Sequence, residues 1–133
     1  MQWSDAPNGG FSTSAKTWLP CGDFKAINVE RQLNDPHSTL SLYRRLIQLR
    51  KSTPALVEGS YRQFDNAPED CLVFHRDTPT QHIVVALNFT AKPRAIDLPA
   101  GKILLSTVSR STDSTSSTLT LAPNEAVILM IDV

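Results

Sequence analysis

The hydrophobic period of the chain changes at Pro54, and that change limits what it can fold into. Before it, Leu40, Tyr43, Leu46, Ile47 and Arg50 recur at three- and four-residue spacing, while Arg44, Arg45, Gln48 and Lys51 fall mostly elsewhere. This spacing predicts one amphipathic helix over about 36–51. Asp35 is its expected N-cap, Pro36 occupies the first helical position, where a missing N–H costs nothing, and Ser52-Thr53-Pro54 closes it. After Pro54 come seven short runs bounded by Pro, Gly, Asn or Asp, which predict strands at 59–64, 71–76, 82–89, 94–98, 102–106, 118–121 and 126–131. The third and last are apolar on both faces and belong at the centre of a sheet; 94–98 carries Ile96 and Leu98 on one face, as a half-exposed strand does. Short strands without intervening helices imply an antiparallel β-sandwich or a similar two-layer sheet. The expected fold is therefore mainly β with one N-terminal amphipathic helix.

Residues 1–35 are rich in turn formers and allow at most a short helical turn after Asn28, a plausible cap. Asp77-Thr78-Pro79-Thr80 reads as a hairpin connection. Ten of the thirteen residues from Ser106 to Thr118 are Ser or Thr, which predicts a flexible surface loop. Thirteen basic residues balance thirteen acidic ones in 133, so the net charge is zero. That balance argues against nucleic-acid binding, which draws its affinity from neutralised phosphates, and against a polybasic membrane-surface role. The longest apolar runs, 83–87 and 126–131, fall far short of the ~20 residues a membrane helix needs. Met1-Gln2-Trp3-Ser4-Asp5 has neither the basic nor the apolar region of a secretory signal, and the expected compartment is the cytoplasm. Cys21 and Cys71 are too sparse for a disulfide framework or a zinc site and fit a reducing environment. Asn88-Phe89-Thr90 is a glycosylation sequon, but Phe89 continues an apolar run, so chance occurrence explains it better.

Motifs that carry chemistry are scarce. The sequence contains no GxSxG, P-loop, GxGxxG or HExxH. His37 reads as a solvated residue in the first helical turn; His75, Asp77 and His82 meet at a hairpin end whose spacing leaves a metal geometry unspecified. A glycosidase needs two carboxyl groups roughly 5–9.5 Å apart, one with a raised pKa. The four glutamates, Glu30, Glu58, Glu69 and Glu125, and nine aspartates are placed mostly in turns. Trp3 and Trp18 are sugar platforms in principle, and burial against a core is the simpler expectation. No catalytic, substrate-binding or metal residue is assigned, and no cofactor.

The order of segments nevertheless resembles one family. Met1-Gln2-Trp3-Ser4, Asn8-Gly9-Gly10-Phe11-Ser12, Trp18-Leu19-Pro20, Ile27-Asn28-Val29-Glu30 and Gln32-Leu33 follow one another without a large gap. Asp35-Pro36-His37-Ser38 and the run from Tyr43 to Lys51 continue the pattern. Together they resemble a stretch of glycoside hydrolase family 13, by pattern its α-glucosidases, oligo-1,6-glucosidases, trehalose-6-phosphate hydrolases and sucrose isomerases. Leu87-Asn88-Phe89-Thr90 and Pro123-Asn124-Glu125-Ala126-Val127 resemble the carboxyl-terminal β-domain of the same family, less specifically. The resemblance implies that 1–54 are the end of a (β/α)8 barrel, a long loop plus the last helix, and that 55–133 are a β-sandwich domain. The family's nucleophile aspartate, acid/base glutamate, second aspartate and an arginine all lie upstream of the motif that begins here at Met1, as would any calcium ligands. The implied function is a carboxyl-terminal accessory and structural domain of an α-glucoside hydrolase in carbohydrate metabolism, not catalytic by itself. The alternatives are a free-standing α-glucan-binding module using Trp3, Trp18 or exposed tyrosines, or a subunit that completes a separately encoded barrel. The implied partners are the missing barrel, an α-glucoside, or a second copy meeting at helix 36–51, but neither nucleic acid nor a membrane.

Overall fold

Eight strands in two antiparallel sheets follow Pro54 among the described residues, which are 1–110, 114–115 and 117–131. In a computed structural model they are β1 (Ser60–Gln63), β2 (Cys71–Asp77), β3 (His82–Asn88), β4 (Arg94–Asp97), β5 (Gly101–Ser106), β6 (Ser114–Thr115), β7 (Thr118–Leu121) and β8 (Ala126–Ile131). The larger sheet has the order β1-β2-β3-β8-β5-β6, so the two runs that are apolar on both faces, β3 and β8, take its centre as expected. β4 and β7 pair as a second sheet with Ile96 opposite Leu119.

The alternation of each strand decides what lies between the sheets. Val73, Val84, Ala86, Val127 and Leu129 from the larger sheet meet Ile96, Leu98, Leu119 and Leu121 from the β4–β7 side. Burying each large aliphatic side chain there stabilises the fold by roughly 1.5–3 kcal/mol. The opposite face of β3 and β8 is covered separately. Ala55 and Leu56 pack on Ile83, with Leu49, Val85, Leu104, Ile128 and Met130 around them. Leu104 belongs to this cluster next to a register shift between Ile103 and Leu105 that interrupts the β5–β8 ladder.

All seven expected strands are present, with ends displaced by a residue or so. The third stops at Asn88, and Phe89 is exposed instead of continuing the apolar run. The loop expected over Ser106–Thr118 falls partly on 111–113 and 116, which lie outside the described residues; within it Ser114–Thr115 pairs with Gly101 and Lys102.

Among the described residues the α-helices are α1 (Val29–Leu33), where a short helical turn was expected, α2 (Thr39–Ser52), the expected amphipathic helix, and α3 (Pro54–Glu58), which was not expected. Asn28 caps α1 as anticipated, its Oδ1 accepting from Arg31 N at 2.9 Å. α2 begins three residues later than the sequence suggested. Asp35 Oδ1 accepts from His37 N at 2.8 Å, a turn rather than a helix cap, and Pro36 and His37 stay outside the helix. Ser38 Oγ takes the capping role, accepting from Ser41 N at 3.2 Å, and Gln32 Oε1 accepts from Leu40 N at 3.0 Å. Pro54 ends α2 and then opens α3 at its first turn, where its ring fits, so one residue does both. Contacts along the chain divide it into two compact units, Met1–Ile47 and Gln48–Val133.

Candidate functional site

The first unit is held by backbone pairing and small polar side chains. The opening N–H groups of α1 are taken from outside the helix: Val29 N donates to Gln2 O and Glu30 N to Trp3 O, both at 2.9 Å. The Gln2 side-chain amide is satisfied in the orientation that donates to Ile27 O at 2.8 Å and accepts from Gly22 N at 3.0 Å. Trp3 N donates to Gly9 O at 2.7 Å within a turn whose residues Asn8, Gly9 and Gly10 all have positive φ (56°, 66° and 68°). Three successive left-handed residues explain why this turn is Asn-Gly-Gly, since Asn and Gly meet the smallest steric penalty there.

Apolar packing contributes little to this unit. Its buried residues are Gly9, Asn28 and Ser38, while every large apolar side chain that is fully buried belongs to residues from Leu56 onward. Trp3 is 51% exposed and Trp18 94%, so the expected burial of the indoles does not occur. The reason is physical: the unit has no apolar interior to receive them. Along α2, Tyr43 is 60% and Ile47 52% exposed while Leu40 and Leu46 are half-buried, so the amphipathic stripe is only partly covered. Met1, Ile27, Val29, Leu40, Tyr43 and Ile47 line a shallow groove of about 450 Å³, with Gln32 and Arg44 contributing polar groups.

Several ionisable groups of the second unit are engaged in ion pairs and hydrogen bonds. Glu125 has a side chain with 0% exposure and sits after Pro123-Asn124, a turn in which Asn124 adopts φ 54° and Glu125 N donates to Ala122 O. Its carboxylate accepts from Ser106 Oγ (2.7 Å), Arg110 Nε (2.8 Å), an Arg110 terminal nitrogen (2.6 Å) and Ala122 N (2.6 Å). Burial is the largest single influence and pushes its pKa up, but the bonds from Arg110, Ala122 and Ser106 together outweigh it and hold the carboxyl below the usual range. Asp70, at the surface, is likewise lowered, chiefly by its hydrogen bond from Arg94. Both shifts favour the ionised form, the direction opposite to that of a general acid.

At the β2–β3 hairpin, Asp77 pairs with Arg62 at 3.2 Å and with His82 Nδ1 at 3.1 Å. His75 is buried beside them and stacks on Phe64 with centroids 5.8 Å apart. Burial first, and the charge of Arg62 second, lower its pKa. The three residues singled out in the sequence are thus neighbours, but among the described residues no group of three or more His, Cys, Asp or Glu side chains is arranged to hold a metal ion. Glu69 and Asp70 lie in a turn, as expected, and His37 is exposed. Asn88, the sequon residue, is buried, with Nδ2 donating to Lys92 O and Ala122 O at 2.8 Å each and Oδ1 accepting from Thr90. Both hydrogens of its amide are committed inside the fold. Sequence reasoning did not single out the Glu125–Arg110 pair, although a lone glutamate abutting the apolar run of β8 is a usable signal for a satisfied buried carboxylate.

Comparison with known proteins places this arrangement. The profile of the alpha-amylase catalytic domain matches residues 1–59. The chain is 32% identical over 98% of its length to an alpha-glucosidase of Schizosaccharomyces pombe, and 39% identical over 74% to an oligo-1,6-glucosidase of Parageobacillus thermoglucosidasius. The proteins it resembles are enzymes of glycoside hydrolase family 13. Among solved structures it is similar to the trehalulose synthase MutB of Pseudomonas mesoacidophila MX-45, with a TM-score of 0.90 and 34% identity over 98% of this chain. It spans 24% of that synthase, 24% of the S. pombe enzyme and 18% of the P. thermoglucosidasius enzyme. The matching profile ends at residue 59, one residue before β1 begins.

Proposed function

We propose that this chain is the carboxyl-terminal accessory part of an α-glucoside hydrolase, contributing structure to carbohydrate metabolism without catalysing hydrolysis by itself. On this reading residues 1–54 are the end of a (β/α)8 barrel and 55–133 the β-sandwich domain that follows it in sequence. The observation that carries it is the pairing of two facts: the chain aligns over nearly all its length with family 13 enzymes, yet spans about a quarter of them. The carboxylates support it as well, because those with displaced pKa values, Asp70 and Glu125, are each engaged by an arginine and lie toward the ionised side. A retaining hydrolase needs a neutral acid and an ionised nucleophile facing each other across a sugar site. Two free cysteines agree with work in the reducing cytoplasm, and no helix among the described residues is long and apolar enough to cross a membrane.

The purified chain is expected to release no 4-nitrophenol from 4-nitrophenyl α-D-glucoside and no glucose from isomaltose above a buffer blank. Turnover that co-elutes with the pure chain would remove this reading. A second reading, contact with α-glucans, is favoured by one observation, the near-complete exposure of the Trp18 indole. It requires a saturable change in tryptophan emission with maltose or isomaltose, and a flat response at millimolar sugar counts against it.

A further inference from the structure

The turn to which Trp3 N bonds is built on the one Asn-Gly dipeptide in the chain, Asn8-Gly9. An asparagine side chain is open to attack by the backbone nitrogen of the next residue, and glycine hinders that attack least because it has no side chain. The other five asparagines, Asn28, Asn34, Asn66, Asn88 and Asn124, are followed by Val, Asp, Ala, Phe and Glu. In the closed turn the attack is blocked in three ways. Gly9 N donates to Ala6 O at 2.9 Å, so the nucleophile is engaged. Asn8 Nδ2 donates to Ser14 O at 2.6 Å and to Ser12 O at 3.3 Å, which pins the carboxamide to the following loop. Asn8 has ψ 28°, and tetrahedral geometry at Cα then sets Gly9 N nearly opposite Cβ, whereas a cyclic imide needs the two eclipsed.

Little holds that turn shut. Asn8, Gly9 and Gly10 all occupy the left-handed region, which asparagine visits but does not favour. The buried residues of Met1–Ile47 are Gly9, Asn28 and Ser38, so opening the turn brings no fully buried apolar side chain into water. Segments of that kind open locally far more often than the whole chain unfolds. We propose that Asn8 is a site of spontaneous deamidation, gated by local opening of the 6–14 turn, and that its products unfasten the segment holding the start of α1. On opening, Gly9 N bonds to Asn8 Cγ, the Cγ–Nδ2 bond breaks, and ammonia leaves with the Gly9 amide proton. Water is the other reactant: it opens the cyclic imide at either carbonyl and leaves an aspartyl or an isoaspartyl linkage at position 8. The aspartyl form turns an acceptor toward Ser14 O where a donor stood. The isoaspartyl form lengthens the main chain and displaces Gly9 O, which accepts from Trp3 N at 2.7 Å and Ser4 N at 3.1 Å. Gln2 O and Trp3 O in turn accept from Val29 N and Glu30 N. This goes beyond the accessory reading and does not draw on it.

The test ages the purified chain at pH 7.5, folded in buffer and unfolded in guanidinium chloride. Peptide mass mapping locates the exchange of NH2 for OH, and an isoaspartyl methyltransferase with labelled S-adenosylmethionine counts the isoaspartyl product. In the folded chain the product arises at position 8 before any other asparagine, about ten- to a thousandfold more slowly than in the unfolded chain. A folded rate outside that range on either side overturns the gate, and an earlier product at another asparagine overturns the site. Asn8→Gln, whose longer side chain closes a ring far more slowly, loses methyl acceptance in both the folded and the unfolded chain. Hydrogen exchange at the Trp3, Ser4, Val29 and Glu30 amides is expected to quicken by about tenfold or more in aged chain and in Asn8→Asp, with the Val84 and Ala86 amides of β3 unchanged. Unaltered exchange at those four amides overturns the unfastening, and equal quickening at β3 does so too, because it reports loss of the whole fold.

Discussion

Replacing Glu125 with glutamine tests whether the carboxylate at the Ala122–Glu125 turn holds the β-domain together. The wild-type carboxylate accepts four hydrogen bonds from three residues, two of them from the Arg110 guanidinium. Glutamine keeps the shape but turns an NH2 toward donors, so about half of that set is lost. Hydrogen bonds to charged groups are each worth about 1.5–3 kcal/mol, and breaking a buried ion pair costs about 3–5. Arg110 keeps 26% of its side chain in solvent and recovers part of its hydration when orphaned, so the figure belongs near the lower bound. The expected loss at pH 7 is about 2–4 kcal/mol, a shift of about 10 °C or more in the melting temperature of a domain this small. Urea denaturation followed by far-UV circular dichroism measures it. Glu125→Gln combined with Arg110→Met is expected to cost less than the sum of the single changes, because no uncompensated charge is left behind. The folded carboxyl lies below its ordinary value of 4.5. The stabilisation is therefore complete above the unfolded value and is lost as pH falls from about 4.5 through the lower folded value. Glu125→Gln should flatten that part of the acid limb. A loss under about 0.5 kcal/mol at pH 7, with an unchanged acid limb, would show that the network adds nothing beyond its geometry.

Two further outcomes follow from the second unit. His75 has a folded pKa below 6.5, so the unfolded chain takes up its proton first, and stability falls as pH drops below about 6.5 toward the folded value. His75→Leu should remove that slope between pH 7.5 and 5.5 in urea titrations, and an undiminished slope would assign it to another group. Asn88→Ala leaves the Lys92 and Ala122 carbonyls without their side-chain donor and is expected to cost about 2–3 kcal/mol, whereas a near-neutral change in calorimetry would mean that water replaces the amide.

The β half of the molecule was legible because strand formation there is decided locally. Alternation along Arg94–Leu98 and Thr118–Leu121 states which side chains turn inward, and the unbroken apolar runs of β3 and β8 state that both faces are covered. The short turn at Asn28 was equally local, since a cap depends on residues three positions apart. The start of α2 was not, because Asp35-Pro36 satisfies the same preferences as a turn, and the decision fell to Gln32 and Ser38, which bond the first amides of the helix.

The amphipathic stripe of α2 illustrates the division most clearly. Its spacing fixes a helix with an apolar face, but spacing carries no information about what covers that face. The same holds for Trp3 and Trp18, whose size suggests burial and whose neighbours provide no interior. Glu125 and Arg110 are fifteen residues apart and separated by β6 and β7, so only the closure of the sheets brings them within 2.6 Å. Period, turn chemistry and segment order are properties of adjacent residues, and the chain by itself determined the strands, the caps and the resemblance to family 13. Cover for an apolar face and partners for a buried charge come from residues distant along the chain, or from outside it, and those only the tertiary structure decided.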